Sequence, residues 1–191
     1  MTKINESLRK RRTYYNINGE SPVSEEKIVE TIKELTELVP DAFNMKSQRV
    51  VVALGDRHKE LWYGVYDAFD GQVSREKLDS FKVGVGTVLF FYDNKTVQTM
   101  REKYSLYEAQ FEKWALQSNG MLQISVWSAL EELGFGASLQ HYNPVIDEMV
   151  RKMFDVDEDY IMLGQIVFGG IEADADPKDG EDIDKRFKLV K

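Results

Sequence analysis

Apolar residues along the chain fall into two patterns, helical stripes and short unbroken runs. After Ser24, a suitable N-cap, Ile28, Ile32, Leu35 and Val39 recur three or four positions apart until Pro40 ends the series. That spacing predicts a helix with one buried stripe. Ile4 and Leu8, one turn apart, predict a short opening helix over 4–10, and Leu61, Val65 and Phe69 another after Gly55. Residues 95–117 read as helical, with Tyr104, Tyr107, Phe111 and Trp114 at helical intervals. Ser118 reads as the cap of a strongly apolar helix over 121–133, and Gly134 as its terminating glycine. A helix that apolar belongs in a core or at a subunit interface. A last helix begins at Asn143-Pro144 and carries Ile146, Met149, Val150 and Met153.

Three unbroken runs read as strands. The run over 49–54 is rich in valine and ends at Gly55, which predicts a central strand covered on both faces. Residues 87–92 follow Gly84 and Gly86, and 160–168 are closed by Gly169-Gly170. Residues 187–190 alternate enough to add an edge strand, in the chain or on a partner subunit. Helices around a small sheet make the expected class α+β, with residues 1–191 as a single domain and 171–191 as an acidic loop and tail.

Composition narrows the chemistry. Hydrophobic residues are 42% of the chain and aromatic residues 12%, enough for a packed core. There is no cysteine, which excludes disulfides, thiolate nucleophiles and Cys-ligated zinc, and only His58 and His141 supply imidazoles. A net charge of −8 disfavours nucleic acid as a partner. No apolar run approaches the roughly 20 residues of a membrane span, and the opening residues are polar and basic. The expectation is a soluble, cytoplasmic protein with no membrane partner. The charge is uneven, however: residues 172–184 hold seven carboxylates against Lys178, so six of the eight excess negative charges sit there. At the other end Arg9, Lys10, Arg11 and Arg12 are consecutive cations, leaving room for a local anion site.

General catalytic templates fail. Gly84-Val85-Gly86 and Gly134-Phe135-Gly136 lack the third glycine of a dinucleotide fingerprint, and no histidines stand at metal-ligand spacing. Three segments carry more. Arg11-Arg12-Thr13 offers two guanidiniums and a hydroxyl, suited to a phosphate, although alone a solvated basic helix end is the commoner meaning. The stretch from Phe43-Asn44 to Gln48 offers an amide for the edge of a planar heterocycle, or is an ordinary turn. The segment from Gly136 to Pro144 combines small residues with Leu139, Gln140 and His141, which could lie along a flat ring.

Taken in order, Arg11-Arg12-Thr13, Phe43-Asn44, the 84–91 run, Gln117-Ser118-Asn119-Gly120-Met121-Leu122-Gln123 and the 136–144 segment resemble the FMN-dependent nitroreductase family. The last of these is specific to its fatty-acid-repression-mutant-like branch. The resemblance runs from about Ile4 to the C-terminus. It implies a mixed, mainly antiparallel sheet in an intertwined homodimer, with the tail exchanged between subunits and the 121–133 helix at the interface. It implies FMN as cofactor, NADH or NADPH as donor, and a small planar nitroaromatic or quinone-like acceptor reduced in ping-pong order. The alternative is a flavin-binding regulatory or stress-response protein in lipid or redox signalling, with incidental reductase activity.

By the same resemblance Arg11, Arg12 and Thr13 hold the phosphate and ribityl chain, and Arg186 is the carboxy-terminal phosphate ligand. Asn44, with Phe43 and Lys46 beside it, belongs to a Ser-x-x-Asn-x-Gln-Pro loop that meets the flavin across the dimer. Leu139, Gln140 and His141 pack along the isoalloxazine near N5. No side chain is assigned as acid or base; the chemistry lies at N5, with solvent or His141 as proton source. The chain departs from the pattern at Lys46 and Ser47, which replace Gln and Pro, and at Tyr15, which replaces a basic residue. Lys46 either places a cation near the flavin or faces solvent.

Overall fold

The structure, a computed structural model, describes residues 1–191. In chain order it comprises α1 (Lys3–Lys10), β1 (Ile17–Asn18), α2 (Glu25–Leu38), β2 (Gln48–Leu54), α3 (Gly55–Ala68), α4 (Arg75–Lys82), β3 (Gly86–Asp93), α5 (Asn94–Lys103), α6 (Phe111–Glu132), β4 (Phe135–Gln140), α7 (Asp147–Phe154) and β5 (Tyr160–Ile171). Every ladder is antiparallel; the only parallel feature is a single bridge between Thr13 and Ala137. The α+β class expected from the pattern is the class observed.

β5 organises the sheet. It pairs with β3 along Tyr160 to Phe168, with β4 along Gln165 to Gly170, and with β1 at its end. Side chains alternate across it and its neighbour β3. Leu89, Phe91 and Val167 face a cluster built with Leu61, Trp62 and Val65 of α3, Leu78 and Phe81 of α4, and Val150 of α7. Val88, Phe90, Ile166 and Phe168 face Ile28 and Ile32 of α2 and Leu122, Val126 and Leu130 of α6. With helices on both faces, every residue of β3 is buried, which is why its sequence shows no polar alternation.

Several expectations need correction. The valine-rich run is β2, and it lies at an edge of the sheet, paired to β3 alone; its residues 49–52 are only half-buried. An unbroken apolar run reports contact with α2 and α3 on its faces, not a strand partner on each side. The helix expected over 95–117 is broken by a 3₁₀ turn, Ser105–Gln110, where aromatic spacing continues but the backbone does not. Ser118 caps nothing: it lies inside the 22-residue α6, where its side chain faces inward. β5 runs through Gly169-Gly170; these glycines end nothing, and at Gly169 a Cβ would meet the Asn18 carbonyl of β1 at 2.3 Å. β1, α4 and β4 go unread in the sequence. The last helix starts at Asp147 after a turn, with Ile146 as its N-cap residue. Residues 187–190 form no strand within the chain and are exposed.

Candidate functional site

The arginine motif follows directly from how α1 ends. Arg11 closes the helix as its C-cap, and the chain turns to bridge Thr13 to Ala137, with the Tyr14 amide donating to the Ala137 carbonyl at 3.0 Å. The first and third chemical segments are thereby joined by backbone. From Ala137 to Gln140 the strand rises about 10 Å, comparable to an extended five-carbon phosphate chain. Along that path Leu139 is half-buried, Gln140 is buried and donates to the Ser138 hydroxyl at 3.0 Å, and His141 is exposed at the strand end.

Charge at this end is uncompensated. The Arg11 guanidinium lies 4.2 Å over the Trp127 ring of α6. Burial, and then the neighbouring Arg12, lower the Arg11 pKa. Arg12 donates to the Asp176 carbonyl, drawing the base of the acidic segment onto the arginines. The Nε atoms of both arginines are buried without a partner, and neither guanidinium has a carboxylate within ion-pair distance. The exposed Lys178 has its pKa lowered by burial and by the charges of Arg11 and Arg12. Two guanidiniums side by side with no carboxylate at ion-pair distance suit a phosphate. Arg186, by contrast, is exposed and lies 3.5 Å from Glu181. Nothing local in the sequence marks Lys178, since a lone lysine among seven carboxylates looks like a solubilising residue; only the influence of the two arginine charges on it does.

The second segment is a strained loop. Phe43, Asn44 and Lys46 adopt φ of 55°, 51° and 54°, the left-handed region that costs non-glycine residues roughly 1–3 kcal/mol each. Phe43 is 49% exposed yet stacked on Trp114 at 5.6 Å and edge-on to Phe111 at 5.3 Å. Asn44 is exposed, and Lys46 is exposed beside Glu37 at 3.5 Å. A cavity of about 410 Å³ adjoins them, lined in part by Thr36, Glu37 and Arg49. Asp41 ties the loop down: Oδ1 accepts from the Ala42 amide at 2.8 Å and the Ser118 hydroxyl at 2.7 Å. Its Oδ2 accepts from the Ser47 amide at 2.7 Å and hydroxyl at 2.6 Å. Arg49 donates to the Lys46 carbonyl at 2.7 Å and pairs with Asp93 at 2.6 Å. The sequence reading does not single out Asp41; the available signal is that a Ser-x-x-Asn pattern aligned on Asn44 puts Asp41 at the Ser position.

Within one chain the loop and the arginines do not meet. Phe43 rests on Trp114 and Arg11 on Trp127, and 13 positions of helix α6 separate these rings by about 20 Å. A concavity of about 740 Å³ near Ser24, Lys59, Tyr63 and Lys82 contains none of the predicted site residues.

Comparison with known proteins bears on this geometry. The profile described as "Nitroreductase family" matches residues 8–170. The nitroreductase FRM2 of Saccharomyces cerevisiae is 32% identical over 166 residues, 85% of each chain. Nitroreductase CinD from Lactococcus lactis, solved with chloramphenicol, superposes with a TM-score of 0.94 at 41% identity, over 99% of this chain and 100% of that one. A putative nitroreductase from Exiguobacterium sibiricum, solved with FMN, shares the fold at 13% identity and a TM-score of 0.76, over 100% of this chain and 98% of that one.

Proposed function

The chain belongs to the nitroreductase family, and on that premise we propose an FMN-dependent oxidoreductase that draws on NADH or NADPH and reduces a planar nitroaromatic or quinone-like acceptor. In this reading residues 1–191 form one cofactor-binding domain. The observation that carries the cofactor is the arginine pair, whose buried Nε atoms lack partners and whose charge lacks a carboxylate. These residues fit a phosphate monoester. Arg11, Arg12 and Lys178 would hold the phosphate, Thr13 the ribityl chain, and Leu139, Gln140 and His141 the ring. When bound, FMN supplies hydride and electron transfer at its ring. The chain's own residues orient the ring and exclude water, and the exposed His141 can exchange a proton with the acceptor.

A homodimer completes the site. A loop about 20 Å from the arginines along α6 reaches the same ligand only from a second copy. Apolar residues left uncovered in one chain support that partner: Ile4 and Leu8 on α1, Leu116 and Met121 on α6, and Phe187, Leu189 and Val190 in the tail. The tail residues favour an exchanged C-terminus, and Arg186 within it would reach a phosphate through that exchange. No separate nicotinamide fingerprint exists in the sequence, which favours donor and acceptor taking turns in one pocket, hence ping-pong order. The binding of chloramphenicol to a relative 41% identical favours a nitroaromatic acceptor.

The absorption spectrum of the purified protein, followed by anaerobic titration with each nicotinamide and steady-state turnover with a nitroaromatic and a quinone, tests this reading. A flavin spectrum bleached by NADH or NADPH, and parallel-line kinetics, are expected. A yellow protein that turns over no such acceptor would favour the regulatory alternative. A chain that takes up no FMN would defeat both.

A further inference from the structure

The 43–46 loop poses a physical problem. Glycine adopts φ near +55° without penalty, yet none of the three left-handed positions is glycine. Two of them, Phe43 and Lys46, lack the short polar side chain that eases this conformation. Such strain persists only where the surroundings over-determine it. Here the surroundings converge on one carboxylate. The two oxygens of Asp41 accept from four donors: the Ala42 and Ser47 amides and the Ser47 and Ser118 hydroxyls, all between 2.6 and 2.8 Å.

Four donors fill the acceptor capacity of a carboxylate. Asp41 therefore has no lone pair left for a ligand or a proton in transfer, and it acts through the loop. Ser118 anchors this arrangement to the core, because it is 2% exposed inside α6. Ser47, fully buried, contributes two of the donors. The loop's outward products are the exposed Asn44 and the exposed face of Phe43.

We propose that Asp41 is a positioning residue: by gathering the backbone and hydroxyl donors of Ala42, Ser47 and Ser118, it holds the 43–46 loop in the left-handed form that presents Asn44 to the flavin ring of a second copy. This rests on the function proposed above. It also places the influence of Asp41 at the ring end of the cofactor, remote from the phosphate cluster of Arg11, Arg12 and Lys178.

That location makes the test selective. The full-length chain, stripped of flavin, is titrated with FMN and with riboflavin, and the visible circular dichroism of the bound flavin is recorded. Asp41→Asn keeps the size of the side chain but cannot accept from all four donors. It should weaken FMN and riboflavin by the same factor, about tenfold, and change the flavin dichroism. Ser118→Ala, which removes one donor, should weaken both by about threefold. Arg11→Ala should weaken FMN and leave riboflavin unchanged. Should Asp41→Asn fail to fold, Ser118→Ala decides alone. Wild-type affinity and dichroism in the folded variants, or a loss confined to FMN, would overturn the role of Asp41. A wild-type chain that binds neither flavin would instead overturn the functional reading, and this proposal with it.

Discussion

At the scale of single residues, burial decides what a charged or polar group can do. His58 is fully buried, with Nδ1 2.9 Å from the Thr87 hydroxyl and Nε2 3.0 Å from the Phe81 carbonyl. Trp62 donates to the same hydroxyl at 3.0 Å. Burial pushes the His58 pKa down from 6.5 to about 4, against the Phe81 carbonyl, which raises it. Between those values the unfolded chain binds a proton that the folded chain does not. Stability is therefore complete above about pH 6.5 and lost as pH falls toward about 4, by up to roughly 3 kcal/mol. Urea denaturation at pH 7 and pH 5 should show the loss, and a His58→Gln variant should be weaker but flatter over that range. Burial lowers the Arg11 pKa as well, but a guanidinium keeps its charge in a protein, and here no carboxylate offsets it. Arg11→Ala should cost about 1.5–3 kcal/mol of FMN binding, the range for a hydrogen bond to a charged group, read by flavin fluorescence quenching. An unchanged affinity would contradict the phosphate assignment.

At the scale of elements, α6 links the parts. Its first half carries Phe111, Trp114 and Ser118 against the 41–47 loop, and its second half carries Trp127 beneath Arg11. Along the same helix Leu122, Val126 and Leu130 enter the core. Truncating Leu122 to Ala should cost about 2–5 kcal/mol, typical of a large-to-small change at a site with no exposure. The end of α6 is set by Gly134 at φ 92°, where a Cβ would stand 3.3 Å from Pro22. Gly134→Ala should lower stability by roughly 1–2 kcal/mol, seen as a shifted urea midpoint with an unchanged slope. β5 plays the corresponding part in the sheet, and its pairing with β4 holds the arginine motif beside the 137–141 segment through the Thr13 bridge.

At the scale of the whole molecule, a site divided between two copies makes a prediction that a site within one chain does not. Co-expression of an Arg11→Ala chain with an Asn44→Ala chain should yield a mixed dimer in which one site carries both changes and the other carries neither. Purified through two different tags, that dimer should bind one FMN tightly per two chains. Each parent should bind weakly at both sites. Tight binding absent from the mixed dimer would place Arg11 and Asn44 in the same chain's site. A negative charge placed on the uncovered apolar face of α6, Met121→Glu, should shift sedimentation toward the monomer and lower FMN affinity in parallel.

Periodicity and local chemistry are properties of neighbouring residues, and they were enough to determine the α+β class, α1, α2, α3, β3 and most of β5, the Gly134 stop, and the segments that carry Arg11, Asn44 and Gln140. Local signals could not determine what depends on residues far apart in sequence. That β2 is an edge strand follows from what pairs with β3 and β5 across the sheet. That the Ser118 hydroxyl serves the 41–47 loop and caps no helix is decided by Asp41, 77 positions away, which accepts it. Asp41 acquires meaning the same way, by closing a loop whose strain no propensity records. The sequence determined which side chains carry chemistry suited to a ligand; the tertiary structure decided which of them share a place, because a cluster of charges or a clamped loop exists only in the distances that folding creates.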